Sequence, residues 1–189
     1  MVKKIFAGID EVGRGCLAGP VISCALILKK NVNKKYIKDS KTISFKNRVK
    51  IARYIKKNSW YAIGYASVKE IDKYNIFNAT LLSMERAIKK LKKKPDIFLV
   101  DGTHAPKKLK NSKTIIKGDQ KIKCISAASI VAKVYRDHYM IKLGTKFPQY
   151  KWNKNFGYGT WQHLGALKKF GVTNYHRKSY RPVHNILFK

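Results

Sequence analysis

Acidic side chains are scarce in this chain: ten Asp and Glu stand among 189 residues, against 42 Lys and Arg. An acidic, solvating protein is excluded, and the formal net charge of +32 draws polyanions to the surface. Cysteine is scarce too. Cys16, Cys24 and Cys124 are odd in number, widely spaced and without partners at zinc spacing. They exclude a disulfide framework or zinc module and read as small buried side chains in a reducing compartment. Long apolar runs are missing as well. The run that follows Lys3 and Lys4 stops at Asp10, too short for a signal segment or a membrane span. No repeat and no Ser-, Pro- or Gln-rich linker divides the chain. A cytoplasmic protein with no membrane contact is expected, and its length suits one main domain.

What is present in quantity is lysine. Nucleic acid is the obvious partner for this charge, although only 7 of the 42 basic residues are Arg, the usual bidentate phosphate ligand. Coding bias explains the lysines equally well.

Hydrophobic patterning predicts a mixed α/β sheet. Residues 3–10 and Val21 to Leu28 read as two strands joined through a glycine-rich turn. Ser44 is a candidate N-cap for a helix from Phe45 to Lys57, and Trp60 to Val68 reads as a third strand. Phe77, Leu81, Met84, Ile88 and Leu91 recur at helical spacing, which predicts a helix from about Ile76 to Lys93. Asp96 to Gly102 reads as a central strand, Lys113 to Lys117 as a further one, and Cys124 to about Leu143 as a helix. Beyond Pro148, aromatic and basic residues interleave around a short helix from Thr160 to Phe170.

Against this background the positions of the few acids carry information. Strand-like runs end in Asp10-Glu11, Asp101 and Asp119, each within two residues of a glycine. If those strands are parallel neighbours, their carboxyl ends bring the acids together. Alternation sets Asp10 with Phe6 and Gly8, and Asp101 with Ile97 and Leu99, so Glu11 must lie past the strand and turn back. Four convergent carboxylates repel unless cations neutralise them, and an oxygen-only set selects Mg²⁺ or Mn²⁺. On a basic protein such a cluster suits phosphodiester cleavage by a pair of ions. Asp101 or Asp119 taken alone reads equally well as a turn former beside glycine.

The run Gly8-Ile9-Asp10-Glu11-Val12-Gly13-Arg14-Gly15-Cys16-Leu17-Ala18-Gly19-Pro20-Val21 closely resembles the signature of type 2 ribonucleases H, the ribonuclease HII family. Asp39-Ser40-Lys41, Ala66-Ser67-Val68, Val100-Asp101-Gly102, Lys117-Gly118-Asp119, Ser126 to Asp137, Gly157-Tyr158-Gly159-Thr160 and His176-Arg177-Lys178-Ser179 follow in the family's order. The resemblance implies a ribonuclease H-like core over 1–145, with a five-stranded mixed sheet flanked by helices. A short helical C-terminal segment over 146–189 would pack on it as one structural unit.

It also implies a metal-dependent endoribonuclease that acts on RNA/DNA hybrids and on duplex DNA containing ribonucleotides, cutting 5′ of the ribonucleotide to leave 3′-hydroxyl and 5′-phosphate ends. Asp10, Glu11, Asp101 and Asp119 would be the catalytic and metal-binding acids. Gly13, Arg14 and Gly15 would read the 2′-hydroxyl, and Tyr158 would stack on the neighbouring deoxyribose. Asn155-Phe156 departs from the usual basic and His residues of that loop.

Asp137 is the rival for the fourth carboxylate, with support from the metal site's edge as the second role and a Lys133 pair as the structural one. Lys41 and Lys117 fit phosphate contacts or solvated lysines alike, and Lys41 is kept as a substrate-binding candidate. His176-Arg177 fits a phosphate or core contact. Trp152 and Trp161 fit stacking platforms or core. A non-catalytic basic nucleic-acid-binding protein is the alternative from another class. Within the enzyme class the type 3 ribonucleases H are a lesser alternative, set aside because no extra N-terminal domain precedes residue 5.

Overall fold

The structure, a computed structural model, describes residues 4–30, 32–37 and 44–188; Lys41 lies outside them. Five strands form one sheet: β1 (Phe6–Val12), β2 (Val21–Leu28), β3 (Ser59–Ala66), β4 (Ile97–Asp101) and β5 (Ser112–Ile115). Their order is β3-β2-β1-β4-β5. The connection from β1 to β2 is too short for a crossover, so these strands pair antiparallel, as do β2 and β3. β1, β4 and β5 are parallel; helices lie in the connection from β1 to β4, whereas residues 102–111, between β4 and β5, form an irregular loop.

Helices cover both faces. α1 (Phe45–Lys57) and α4 (Lys123–Lys146) lie on one, where Ala52, Ile55, Ala127 and Val131 meet Cys24 and Leu26. α2 (Val68–Lys89) covers the other, packing Met84 and Ala87 against Ile9, Ala25 and Val100. The mixed sheet flanked by helices is the predicted class. No helix among the described residues is long and apolar enough to cross a membrane.

One helix differs from expectation. α2 begins at Val68, eight residues before Ile76, because Ser67 and Glu70 form a reciprocal capping box. Asn75, at φ 63°, then interrupts the helix and restarts its apolar period at Ile76.

Two glycines set the distance between layers. A Cβ on Gly64 would lie 2.0 Å from the Ser83 carbonyl oxygen on α2. A Cβ on Gly8 would lie 2.2 Å from the Cys124 carbonyl carbon and 2.4 Å from the Ile125 nitrogen. The first turn of α4 therefore sits backbone against backbone on β1.

Beyond α4, the short helix α5 (Trp152–Asn155), α6 (Trp161–Phe170) and α7 (Arg181–Leu187) build a second core on Trp152, Tyr150, Leu167 and Val183. Trp152 is buried there, whereas Trp161 is 81% exposed. The indole N–H of Trp152 donates to His163 Nε2 at 3.0 Å, and His176 Nε2 lies 3.1 Å from the same atom. Since His176 Nδ1 accepts from the Thr173 N–H, its proton sits on Nε2. His163 then donates through Nδ1 to the Tyr158 carbonyl at 2.9 Å. Burial lowers the pKa of both rings, His176 to about 3, so the chain stays neutral.

Gly8→Ala is expected to destabilise the protein by about 3 kcal/mol, since α4 must move off β1 to admit a methyl group. An unchanged denaturation midpoint would refute this seating of α4.

Candidate active site

The carboxyl ends of the parallel strands deliver the predicted acids to one end of the sheet. β1 and β4 pair Gly8 with Leu99 and Ile9 with Val100, so the same register carried one residue further sets Asp10 beside Asp101. Asp101 ends β4, and its Oδ1 accepts from the Gly118 N–H at 2.6 Å and the Asp119 N–H at 3.4 Å. That carboxylate ties down the start of the one-turn helix α3 (Gly118–Lys121), so Asp119 lies in α3 rather than at the end of β5. Asp119 is buried, as is Asp10.

Glu11 is a correction. It does not lie past the strand but within β1, paired with Ser23 of β2. The strand runs two residues further than its apolar pattern because β2 continues to pair with it through Val12. Alternation then sends Asp10 toward α4 and Glu11 toward the α2 face.

The acids act on one another. Burial first, then the charge of Glu11, then that of Asp101 raise the Asp10 pKa well above the ordinary Asp value, opposed by a hydrogen bond from Ser129 on α4. Burial raises Glu11 as well, opposed by Arg14, whose Nη1 stands 3.3 Å from Oε1. Desolvated, like-charged carboxylates are a costly arrangement that a bound cation would relieve. Among the described residues no three His, Cys, Asp or Glu side chains close round a single point to hold one ion. The donor set is nonetheless all oxygen, as hard divalent cations require.

Beside the acids runs the loop from Gly13 to Pro20, held by two fully buried guanidinium groups. Arg136 of α4 donates to the carbonyls of Ala18, Pro20 and Phe156 at 2.8–3.0 Å. Arg177 donates to those of Gly13, Arg14 and Gly19 at 2.6–3.0 Å, and Tyr180 Oη also donates to the Arg14 carbonyl. Gly13 is at φ 93°, and a Cβ there would lie 2.2 Å from Arg136 Nε. Gly15 differs: it is exposed, and nothing lies within 4 Å of the position its Cβ would take. Neither the backbone angle nor packing within the chain demands glycine at 15.

Tyr158 flanks this loop and is 40% exposed. Burial of its hydroxyl and the neighbouring Cys16 push its pKa to about 12. Gly157 fixes it in place, because its carbonyl accepts from the Leu17 and Ala18 N–H groups and its own N–H donates to Asn155 Oδ1. Asn155 is thus a buried turn former, and Phe156 stacks on Phe45. Lys133 Nζ lies 4.9 Å from the Phe156 ring centre and 5.7 Å from that of Tyr158.

Asp137 is fully buried, salt-bridged to Lys133 at 2.8 Å and Arg48 at 3.3 Å. His176 and Arg177 are fully buried too, and their partners are the residues named above. Lys117 is exposed in a left-handed conformation before α3. Ser129 and Arg136 were not singled out from sequence. Arg136 does share a helical face with the apolar Ala132 and Met140, four residues to either side, which is the available signal for a buried arginine.

Residues 7–184 match the family model for ribonuclease HII. A ribonuclease HII of Pelagibacter ubique is 55% identical over 97% of this chain and 100% of its own. The chain belongs to the ribonuclease HII family. In three dimensions it is similar to the ribonuclease H2 of Pyrococcus horikoshii (TM-score 0.81, 25% identity, 96% of each chain). The fold is also that of Bst-RNase HIII, solved in complex with Mn²⁺ (TM-score 0.72, 14% identity, 98% of this chain and 70% of that one). Within the family, this is a type 2 ribonuclease H, a nuclease that hydrolyses phosphodiesters.

Because the pKa of Asp10 is raised in the fold, ionising it opposes folding. The penalty is absent below the ordinary Asp value and grows as pH rises through the folded pKa. In chelator, Asp10→Asn is therefore expected to raise Tm at pH 7, with the gain vanishing as pH falls toward about 4. Adding Mg²⁺ should raise the Tm of the wild type and not that of the variant. An equal gain at both pH values would remove the electrostatic explanation.

Proposed function

We propose that this enzyme, an endoribonuclease of RNA/DNA hybrids, also cuts 5′ of a ribonucleotide embedded in duplex DNA and leaves 3′-hydroxyl and 5′-phosphate ends. The observation that carries this reading is the adjacency of desolvated, mutually repelling carboxylates to a rigid glycine loop open at Gly15.

Asp10, Glu11, Asp101 and Asp119 are the residues that would hold Mg²⁺ or Mn²⁺. Bound there, the ions would activate water and stabilise the leaving oxygen. Ser129 orients Asp10, while Asp101 positions Asp119 through the α3 backbone. Arg14 offsets the charge of Glu11. With the Gly13 and Arg14 carbonyls held by Arg177, Gly13 to Gly15 present a fixed backbone against which a ribose can lie, and a 2′-hydroxyl is what separates RNA from DNA there.

Tyr158 packs on the adjoining deoxyribose, and Lys41 contacts a phosphate. Asp137 serves by fixing Lys133 and Arg48; His176 and Arg177 serve through Tyr158 and the loop. Residues 1–145 and 146–189 work as one unit, in the cytoplasm. A purely binding protein would not require acids buried at the phosphate path.

Asp101→Asn is expected to lower Mg²⁺-dependent cleavage of a duplex with one ribonucleotide at least a hundredfold while leaving duplex binding in place. Gly15→Ala should keep wild-type stability within about 0.5 kcal/mol yet lose most cleavage at the single ribonucleotide. An all-DNA duplex should bind and stay uncut. Cleavage of that duplex, or full activity in Asp101→Asn, would defeat the proposal.

A further inference from the structure

A groove of about 440 Å³ runs between α1 and α4, away from the acids. Arg53 and Lys56 stand on its α1 side, and Tyr135, His138, Tyr139 and Lys142 on its α4 side. Ala52 and Val134 contribute buried apolar surface to it. Among the described residues no acidic side chain lines it. The nearby Asp137 is fully buried beneath Lys133 and Arg48. Tyr135 and Tyr139 are 44% and 40% exposed, and Arg53 and Lys142 are exposed as well.

The groove is continuous with the candidate active site. From Tyr158, Lys133 bridges to the ring of Phe156. Phe156 stacks on Phe45 at 6.3 Å, and Phe45 meets His138 at 5.9 Å. An unbroken line of aromatic rings and cations thus leads from the proposed sugar contact into the groove. Such a surface fits a sugar–phosphate backbone: the cations meet phosphates, and the rings pack against sugars.

We propose that the α1/α4 groove is an accessory site for the duplex arm that flanks the cleaved nucleotide. The inference rests on the function proposed above. Along α4, Lys142 lies nine residues beyond Lys133, a rise of about 14 Å. On duplex DNA that is about four base pairs at 3.4 Å per step. The groove therefore engages only substrates whose arm on that side extends about four pairs or more past the cut.

The test uses the full-length double variant Arg53→Ser/Lys142→Ser, both positions being exposed and outside the proposed chemistry. Three duplexes carry one ribonucleotide: one with arms of about ten pairs on each side, and two with one arm trimmed to about two pairs. On the long duplex, kcat/KM should fall about tenfold in the variant. On the duplex trimmed on the groove side, wild type and variant should coincide. Binding to a long all-DNA duplex should lose about two units of log Kd against log salt slope.

Arg53→Lys/Lys142→Arg should restore the wild-type behaviour. Equal rates for wild type and double variant on all three duplexes, or a loss independent of arm length, would overturn the accessory site. Absence of cleavage by the wild type would count instead against the proposed activity, and the binding measurement would then decide on the groove alone.

Discussion

Helix α4 rests on β1 without an intervening side chain because residue 8 is glycine, and much of the site is measured from that contact. One turn beyond it, Ser129 reaches the carboxylate of Asp10. Two turns further, Arg136 reaches the carbonyls of the loop that follows the same strand. Lys133 and Asp137, between and after these, set the aromatic surface and the junction with α1. A shift of the helix by a fraction of an ångström would move all of these groups together, because they project from one rigid element.

The glycine loop illustrates how a basic protein uses charge internally. Arg136 and Arg177 are fully buried, and both are satisfied chiefly by backbone carbonyls. Each guanidinium presents several donors in a fixed plane, so each fixes several carbonyl directions at once. The loop is thereby rigid without regular secondary structure, and rigidity is what sugar discrimination at a backbone requires. Lysine could not take this role, as its ammonium has no planar fork. Arg136 and Arg177 are thus not interchangeable with lysine.

β1 to β4 were legible because they carry buried or alternating apolar residues, whereas β5 buries none, and the strand-end acids were legible because acids are rare here. Glu11 was misplaced because apolar pattern marks where a strand is covered, not where its backbone pairing ends. The start of α2 was missed for a related reason: Asn75 breaks the helical period, so the amphipathic stripe announces only the second half. Arg177 was singled out, but its partners lie about 160 residues away in the chain, and no local pattern reports a carbonyl that distant. Asn155 and Phe156 looked like lost phosphate contacts. In the fold they are a buried turn former and an aromatic surface element.

The bonds from Arg177 to Gly13 and Arg14 close a sequence separation of more than 160 residues. During synthesis the acids of β1 emerge early, and the sheet can pair once β4 and β5 follow. The loop beside those acids has no fixed shape until Arg177 has reached it. Assembly of a strand-cutting site thus waits on residue 177, and a chain cut short before it carries the carboxylates but not the device that aims them.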